Sequence, residues 1–135
     1  MRDAADEWWV IASAAATLHG ADQPEPADVD VLASERDATS VLEALGIKPE
    51  GDGLHPLFRS RVIGRWTSPP MPVEIMAGFN LLTDTGWREV ALKTRESVRV
   101  GAEVVFVPSR EELVGLLTAI GRPKDLVRAH QLRAR

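Results

Sequence analysis

The stretch "PADVDVLAS", residues 26–34, sets two aspartates, Asp28 and Asp30, on either side of a valine, at the mouth of a run that otherwise reads as a buried strand. A strand sends residues i and i+2 to the same side, so the two carboxylates point together. Like charges at that spacing repel and raise one another's pKa. Two arrangements relieve the repulsion: a cation held between the carboxylates, or a strand end lying in water. The flanking segments decide what else reaches the same place.

Upstream, "EWWVIAS" (7–13) is an apolar, β-rich run that passes into "AAATLHG" (14–20), a short Ala/Leu helix stopped by Gly20. "ADQPEP" (21–26), with two prolines, is a loop. Beyond the Asp-Val-Asp strand, "SERDATSVLEALG" (34–46) reads as a helix with Ser34 as N-cap, an apolar stripe of Val41, Leu42 and Leu45, and a stop at Gly46. "KPEGDG" (48–53) is a turn, "LFRSRVIGRW" (57–66) a strand, "TSPPMP" (67–72) a loop and "VEIMAG" (73–78) a short strand. Two more β stretches follow, "WREVALKTRESVRV" (87–100) and "AEVVFVPS" (102–109). In the first, Val90, Leu92 and Thr94 share one face, with Ala91, Lys93 and Arg95 on the other. "SREELVGLLTAIG" (109–121) is a helix opened by a capping box of Ser109 and Glu112. "RPKDLVRAHQLRAR" (122–135) is another, with Pro123 in its first turn. This order predicts an α+β fold, a mixed sheet flanked by helices, rather than a doubly wound one. With no repeat and no linker, residues 1–135 are expected to form a single domain that includes the basic helix 122–135.

The composition excludes several classes. Hydrophobic residues at 44% and charged residues at 27% are globular values, not those of a disordered chain. The absence of cysteine removes disulfides and thiolate zinc sites, and fits a cytoplasmic location. The apolar N-terminal run follows Arg2, Asp3, Asp6 and Glu7, net negative where a signal peptide is positive. It also falls short of the roughly 20 residues of a membrane span, so it is read as core. A net charge of −4 argues against general nucleic-acid binding. Yet residues 122–135 carry Arg122, Lys124, Arg128, Arg133 and Arg135 against Asp125 alone. Such a segment either meets a small polyanion or simply solvates a terminal helix.

Two further features bear on the aspartates. The tight turn "IASAA" (11–15) brings small residues, Ala12 and Ser13 among them, to a helix start. There free N–H groups can cradle phosphate, though small residues at such a turn also serve close packing. Glu74, between Val73 and Ile75 on an apparently buried strand, needs a partner or a metal unless it faces solvent on an edge. Paired carboxylates with a third acid are the oxygen ligands that Mg²⁺ (or Mn²⁺) takes. His19, His55 and His130 have no metal-ligand spacing, so structural roles are expected for them. Of Trp8 and Trp9, one is expected in the core and the other over an edge or a partner surface.

Taken in order, "WVIASAAATLHG", "ADVDVLA", "VEIMAG" and "GRPKDL" resemble the nucleotidyltransferase superfamily in its small bacterial forms, the minimal nucleotidyltransferases and AbiEii-type toxins, over residues 8 to about 130. The chain departs from that pattern where Ala12 replaces a glycine, where "PEPAD" replaces an Arg-x-Thr, and where Leu117 replaces a lysine. The resemblance implies binding of Mg-NTP and transfer of a nucleoside monophosphate to an acceptor hydroxyl. It implies Asp28 and Asp30 as ligands of the metals bridging the triphosphate, and Glu74 as ligand of the second metal and aid to deprotonation of the acceptor. Ala12, Ser13, Arg122 and Lys124 would meet phosphate, with Asp125 an internal partner for one of the two basic residues. The alternative is a catalytically silent binding or regulatory module, one half of a toxin–antitoxin-like pair; metal-dependent phosphoester hydrolysis is a third. Size alone suggests that a homodimer or a helical partner protein completes the acceptor pocket.

Overall fold

The structure, a computed structural model, describes residues 1, 3–21, 26–50 and 57–134. The loop expected at 21–26 and the turn at 48–53 fall partly outside these residues, and His55 wholly so. In chain order the elements are β1 (Trp9–Ile11), α1 (Ala12–Leu18), β2 (Val29–Leu32), α2 (Glu35–Ala44), β3 (Phe58–Trp66), β4 (Val73–Thr83), β5 (Gly86–Glu89), β6 (Glu96–Val100), β7 (Glu103–Val107), α3 (Arg110–Ile120) and α4 (Pro123–Arg133).

The main sheet has the order β1-β2-β4-β3, with β5 also paired to β4. Only β2 and β4 run parallel; the other pairs are antiparallel, and β6 and β7 form a separate two-stranded sheet. A parallel pair needs a long crossover, which α2 and β3 supply here. This is the expected α+β architecture, a mixed sheet with flanking helices. One apolar cluster joins Val10, Val31, Ile75 and Ala77 to Leu42, Leu113, Leu117 and Leu132 of the helices. A second joins Ile11, Leu32, Met76, Phe79 and Leu81 to Leu116 and Ile120. Leu117, where the resembling pattern has a lysine, is thus a core residue. Among the described residues no helix is long and apolar enough to cross a membrane.

Three segment boundaries differ from the sequence reading. The first strand ends at Ile11 rather than Ser13, because Ala12 takes the left-handed conformation, φ 55°, and the chain turns at once into α1. The run 87–100 is two strands, not one. Val90 and Leu92 do alternate inward onto the second cluster, but residues 90–95 form a strap that finds its partners elsewhere. Lys93 and Thr94 N–H groups both donate to the Glu112 carboxylate at 2.8 Å, and Trp9 Nε1 donates to the Thr94 carbonyl at 2.8 Å. The box at α3 is accordingly half formed. Glu112 N–H donates to Ser109 Oγ at 3.2 Å, while Ser109 N–H donates to Thr94 Oγ1 at 2.9 Å instead of to Glu112. Trp8 is the core tryptophan, edge-on to Phe106. His19 Nε2 lies 2.8 Å from the Pro108 carbonyl, a structural bond of the kind expected.

The third difference shapes the site. The strand expected to end at Gly78 continues to Thr83, and Gly78 marks a slip in its alternation. Ile75 and Ala77 belong to the first cluster, whereas Met76, Phe79 and Leu81 belong to the second. Strict alternation would turn Phe79 and Leu81 away from the side that Met76 faces. Gly78, at φ 62°, absorbs the slip and keeps them together; a side chain there is strained. We expect Gly78→Ala to cost about 1–2 kcal/mol, read as a fall of roughly 3–8 °C in melting temperature. An unchanged melting temperature would contradict this account of β4.

Candidate active site

Asp28 immediately precedes β2, and Asp30 is its second residue. The parallel pairing of β2 with β4 sets Asp30 directly beside Glu74. Period-two alternation then brings Asp28 to the same side. Carboxylate oxygens of Asp28, Asp30 and Glu74 all lie within 4.8 Å of one another. The three acids picked out from separate stretches of sequence therefore form one cluster.

They stand at one wall of a cavity of about 270 Å³, near the lower limit of small-molecule pockets. Ala12 and Ser13 reach it from the β1–α1 turn, and Arg122 and Lys124 from the start of α4. All seven residues singled out from the sequence thus line one space. Ser13 is buried in the first turn of α1, where Ala12 carries the left-handed φ. That conformation costs a residue with a side chain on the order of 1–2 kcal/mol, so the turn demands what glycine gives most easily.

Two lining residues, and one that contacts the acids, were missed by the sequence reading. Ser60 of β3 is buried on the cavity floor beside Phe58 and Phe79. Arg128, one turn along α4, is 3% exposed and lines the cavity. Arg65 of β3 is paired across the ladder with Glu74. Its Nη1 donates to Glu74 Oε1 at 2.6 Å and approaches Asp28 Oδ2 at 3.4 Å. The signal for Arg65 is present in the sequence: strands flanking the loop 67–72 pair antiparallel, which puts Trp66 opposite Val73 and hence Arg65 opposite Glu74.

The basic wall has its own support. Asp125 is fully buried and accepts two bonds from Arg122, Nε to Oδ2 at 2.6 Å and Nη2 to Oδ1 at 3.2 Å. Arg128 Nη1 lies 3.9 Å from the other side of the pair, at Oδ1. Asp125 is thus the internal partner of Arg122, and its fork-to-fork geometry fixes the guanidinium. Asp125 Oδ2 also accepts from the Arg122 backbone N–H at 3.3 Å, which ties down the first turn of α4.

The electrostatics of the two walls oppose each other. Burial, with Asp28 and Glu74 alongside, pushes the Asp30 carboxyl up to about 7, against the pull of Arg122 and Lys124. Burial and Asp28 likewise raise Glu74, opposed by Arg65. Burial lowers the Arg128 guanidinium, and Asp125 opposes this. Three converging carboxylates offer only hard oxygen donors, a set that suits Mg²⁺ or Mn²⁺ and not softer ions.

No family model and no curated protein matches the sequence. Solved structures do match the fold. Over 99% of this chain and 84% of theirs, the coordinates superpose on TM1012 of Thermotoga maritima, a candidate nucleotidyltransferase, with a TM-score of 0.74 and 21% identity. The lincosamide antibiotic adenylyltransferase LnuA, bound to lincomycin, matches over 95% of this chain and 86% of its own, with a TM-score of 0.57 and 16% identity. The antibiotic-resistance factor ANT(2'')-Ia matches over 93% of this chain and 71% of its own, with a TM-score of 0.53 and 10% identity. At these identities the likeness is one of fold: the chain has the nucleotidyltransferase fold.

Proposed function

We propose that this chain of nucleotidyltransferase fold, read as one domain, binds a metal–nucleoside triphosphate and transfers its nucleoside monophosphate to an acceptor hydroxyl. The observation that carries the reading is the convergence of Asp28, Asp30 and Glu74 within 4.8 Å, on a cavity also lined by Arg122, Lys124 and Arg128. Asp28, Asp30 and Glu74 would hold Mg²⁺ or Mn²⁺, which supplies neutralisation of phosphate charge. The turn at Ala12 and Ser13 offers backbone N–H groups to the phosphate tail. Arg122, fixed by Asp125, and Lys124 neutralise the same tail from α4.

In the transfer, the acceptor oxygen forms a bond to the α-phosphorus and the bond from that phosphorus to the pyrophosphate oxygen breaks. The acceptor proton passes to the Glu74 carboxylate and then to water. Pyrophosphate leaves past the cations of α4. The acceptor completes its pocket against a second copy of the chain or a helical partner.

Assay of the products tests the reading against hydrolysis. Incubation with each of the four NTPs and Mg²⁺ or Mn²⁺, in the presence of a panel of hydroxyl acceptors, is expected to release pyrophosphate together with an acceptor-linked nucleoside monophosphate, not free nucleoside monophosphate. Release of orthophosphate alone would favour phosphoester hydrolysis at the same acids. The specific observation favouring a silent, regulatory module is the Arg65–Glu74 pair at 2.6 Å, which already balances one of the acids.

A further inference from the structure

Arg65 contacts two of the three clustered acids. Its Nη1 is 2.6 Å from Glu74 Oε1 and 3.4 Å from Asp28 Oδ2, and these carboxylates belong to the cluster that converges within 4.8 Å. The guanidinium therefore uses the same acceptor oxygens that a divalent cation needs. The two acids it joins are each a quarter exposed, and Arg65 itself is about half exposed, 48%. A side chain so placed can withdraw into solvent, leaving Glu74 to take another cation. Arg65 pairs with Glu74 and Asp28, whereas the cations that act on Asp30 are Arg122 and Lys124. Arg65 thus offsets part of the cluster and leaves part of it unbalanced.

We propose that Arg65 is a built-in counter-cation of the acid cluster, which excludes free divalent metal and gives way to metal that arrives with a nucleotide. The proposal rests on the function proposed above. A bare ion must displace the guanidinium from Glu74 and Asp28 and gains only those carboxylates and Asp30 in return. An ion carried by a triphosphate brings additional oxygen ligands of its own, and its phosphates offer the released guanidinium a new anion. Arg65 is then a positioning residue that makes the site select the metal–nucleotide complex over the ion alone.

Binding of Mn²⁺, followed by the electron paramagnetic resonance signal of the free ion, tests this on wild type, Arg65→Gln, Arg65→Lys and Asp28→Asn/Asp30→Asn. Removing one half-exposed positive charge from contact with the ligands is expected to tighten binding of Mn²⁺ alone by about tenfold in Arg65→Gln. Arg65→Lys is expected to fall between, since an ammonium cannot fork across two carboxylates. The gain should shrink when Mn²⁺ is supplied with a non-hydrolysable NTP analogue. Equal or weaker Mn²⁺ binding by Arg65→Gln, or an equal gain with and without nucleotide, overturns the role of Arg65. If Arg65→Gln fails to fold, the lysine variant carries the same comparison. Failure of all four proteins to bind Mn²⁺, with or without nucleotide, would instead sink the proposed function itself, whereas nucleotide-dependent binding lost only in the double variant would leave that function standing.

Discussion

Asp30→Asn is expected to raise the melting temperature of the metal-free chain at pH 8 and to abolish the metal-dependent response to nucleotide proposed above. Burial and two neighbouring carboxylates hold Asp30 at about 7 in the native state, against an ordinary value of 3.8. Between these values the native state binds more protons than the unfolded state. Stability is therefore greatest below the ordinary value and falls as pH rises through about 7. Above it the ionised carboxylate costs about 2–4 kcal/mol. Asparagine keeps the shape and discards the charge. In EDTA, wild type should lose more stability from pH 5 to pH 8 than the variant, in which only the raised Glu74 still contributes. Scans of melting temperature against pH for the two proteins make the comparison. The same substitution removes one of the proposed metal ligands, so nucleotide with Mg²⁺ should no longer raise the melting temperature. Parallel pH profiles for the two proteins would contradict the electrostatic account of the cluster.

Asp125→Ala has the opposite sign and is expected to be the most damaging single change on α4. Asp125 is fully buried, with Arg122 bonded to both of its oxygens and Arg128 at 3.9 Å. Removing the acid leaves two neighbouring guanidinium groups without the carboxylate they share, one of them on a residue only 3% exposed. Loss of one partner from a buried ion pair costs about 3–5 kcal/mol, or roughly 10–15 °C in a chain of this size. Chemical denaturation gives the value directly. Asp125→Asn, which keeps hydrogen-bond acceptance but not charge, should fall between alanine and wild type. A loss below 1 kcal/mol for alanine would mean that Arg122 and Arg128 find other support, and that Asp125 does not set the basic wall.

Much of this arrangement was legible because it follows period-two alternation. Asp28 and Asp30 had to share a side, and an acid in the middle of "VEIM" had to find company. The parallel register of β2 and β4, which seats Asp30 beside Glu74, was not readable from either strand alone. Arg65 escaped because alternating charges in "RSRVIGRW" look like the solvent face of an edge strand. Its partner becomes visible only when the Pro-rich loop 67–72 is used to fix the antiparallel register. Arg128 escaped because a basic segment reads as a solvated helix; yet Asp125, Arg128, Ala129 and Leu132 share helical spacing, and all four are buried. Residues 90–95 kept the alternation of a strand but lost their place in a sheet to Glu112, whose carboxylate was expected to cap its own helix. Gly78 was read as a strand end because a lone glycine usually punctuates; here it lets β4 change phase and go on.

The central claim is that the three carboxylates hold a metal and its nucleotide. Thermal denaturation of wild type and Asp28→Ala/Asp30→Ala, with each of the four NTPs and with Mg²⁺, Mn²⁺ or EDTA, tests it most directly. Ligand that binds the native state raises the melting temperature by mass action, by about 2.7 kcal/mol at a hundred times its dissociation constant. The account predicts a rise with at least one nucleotide that requires the divalent metal and vanishes in the double variant. No rise with any nucleotide and metal, or a rise that survives in the double variant or in EDTA, would contradict it.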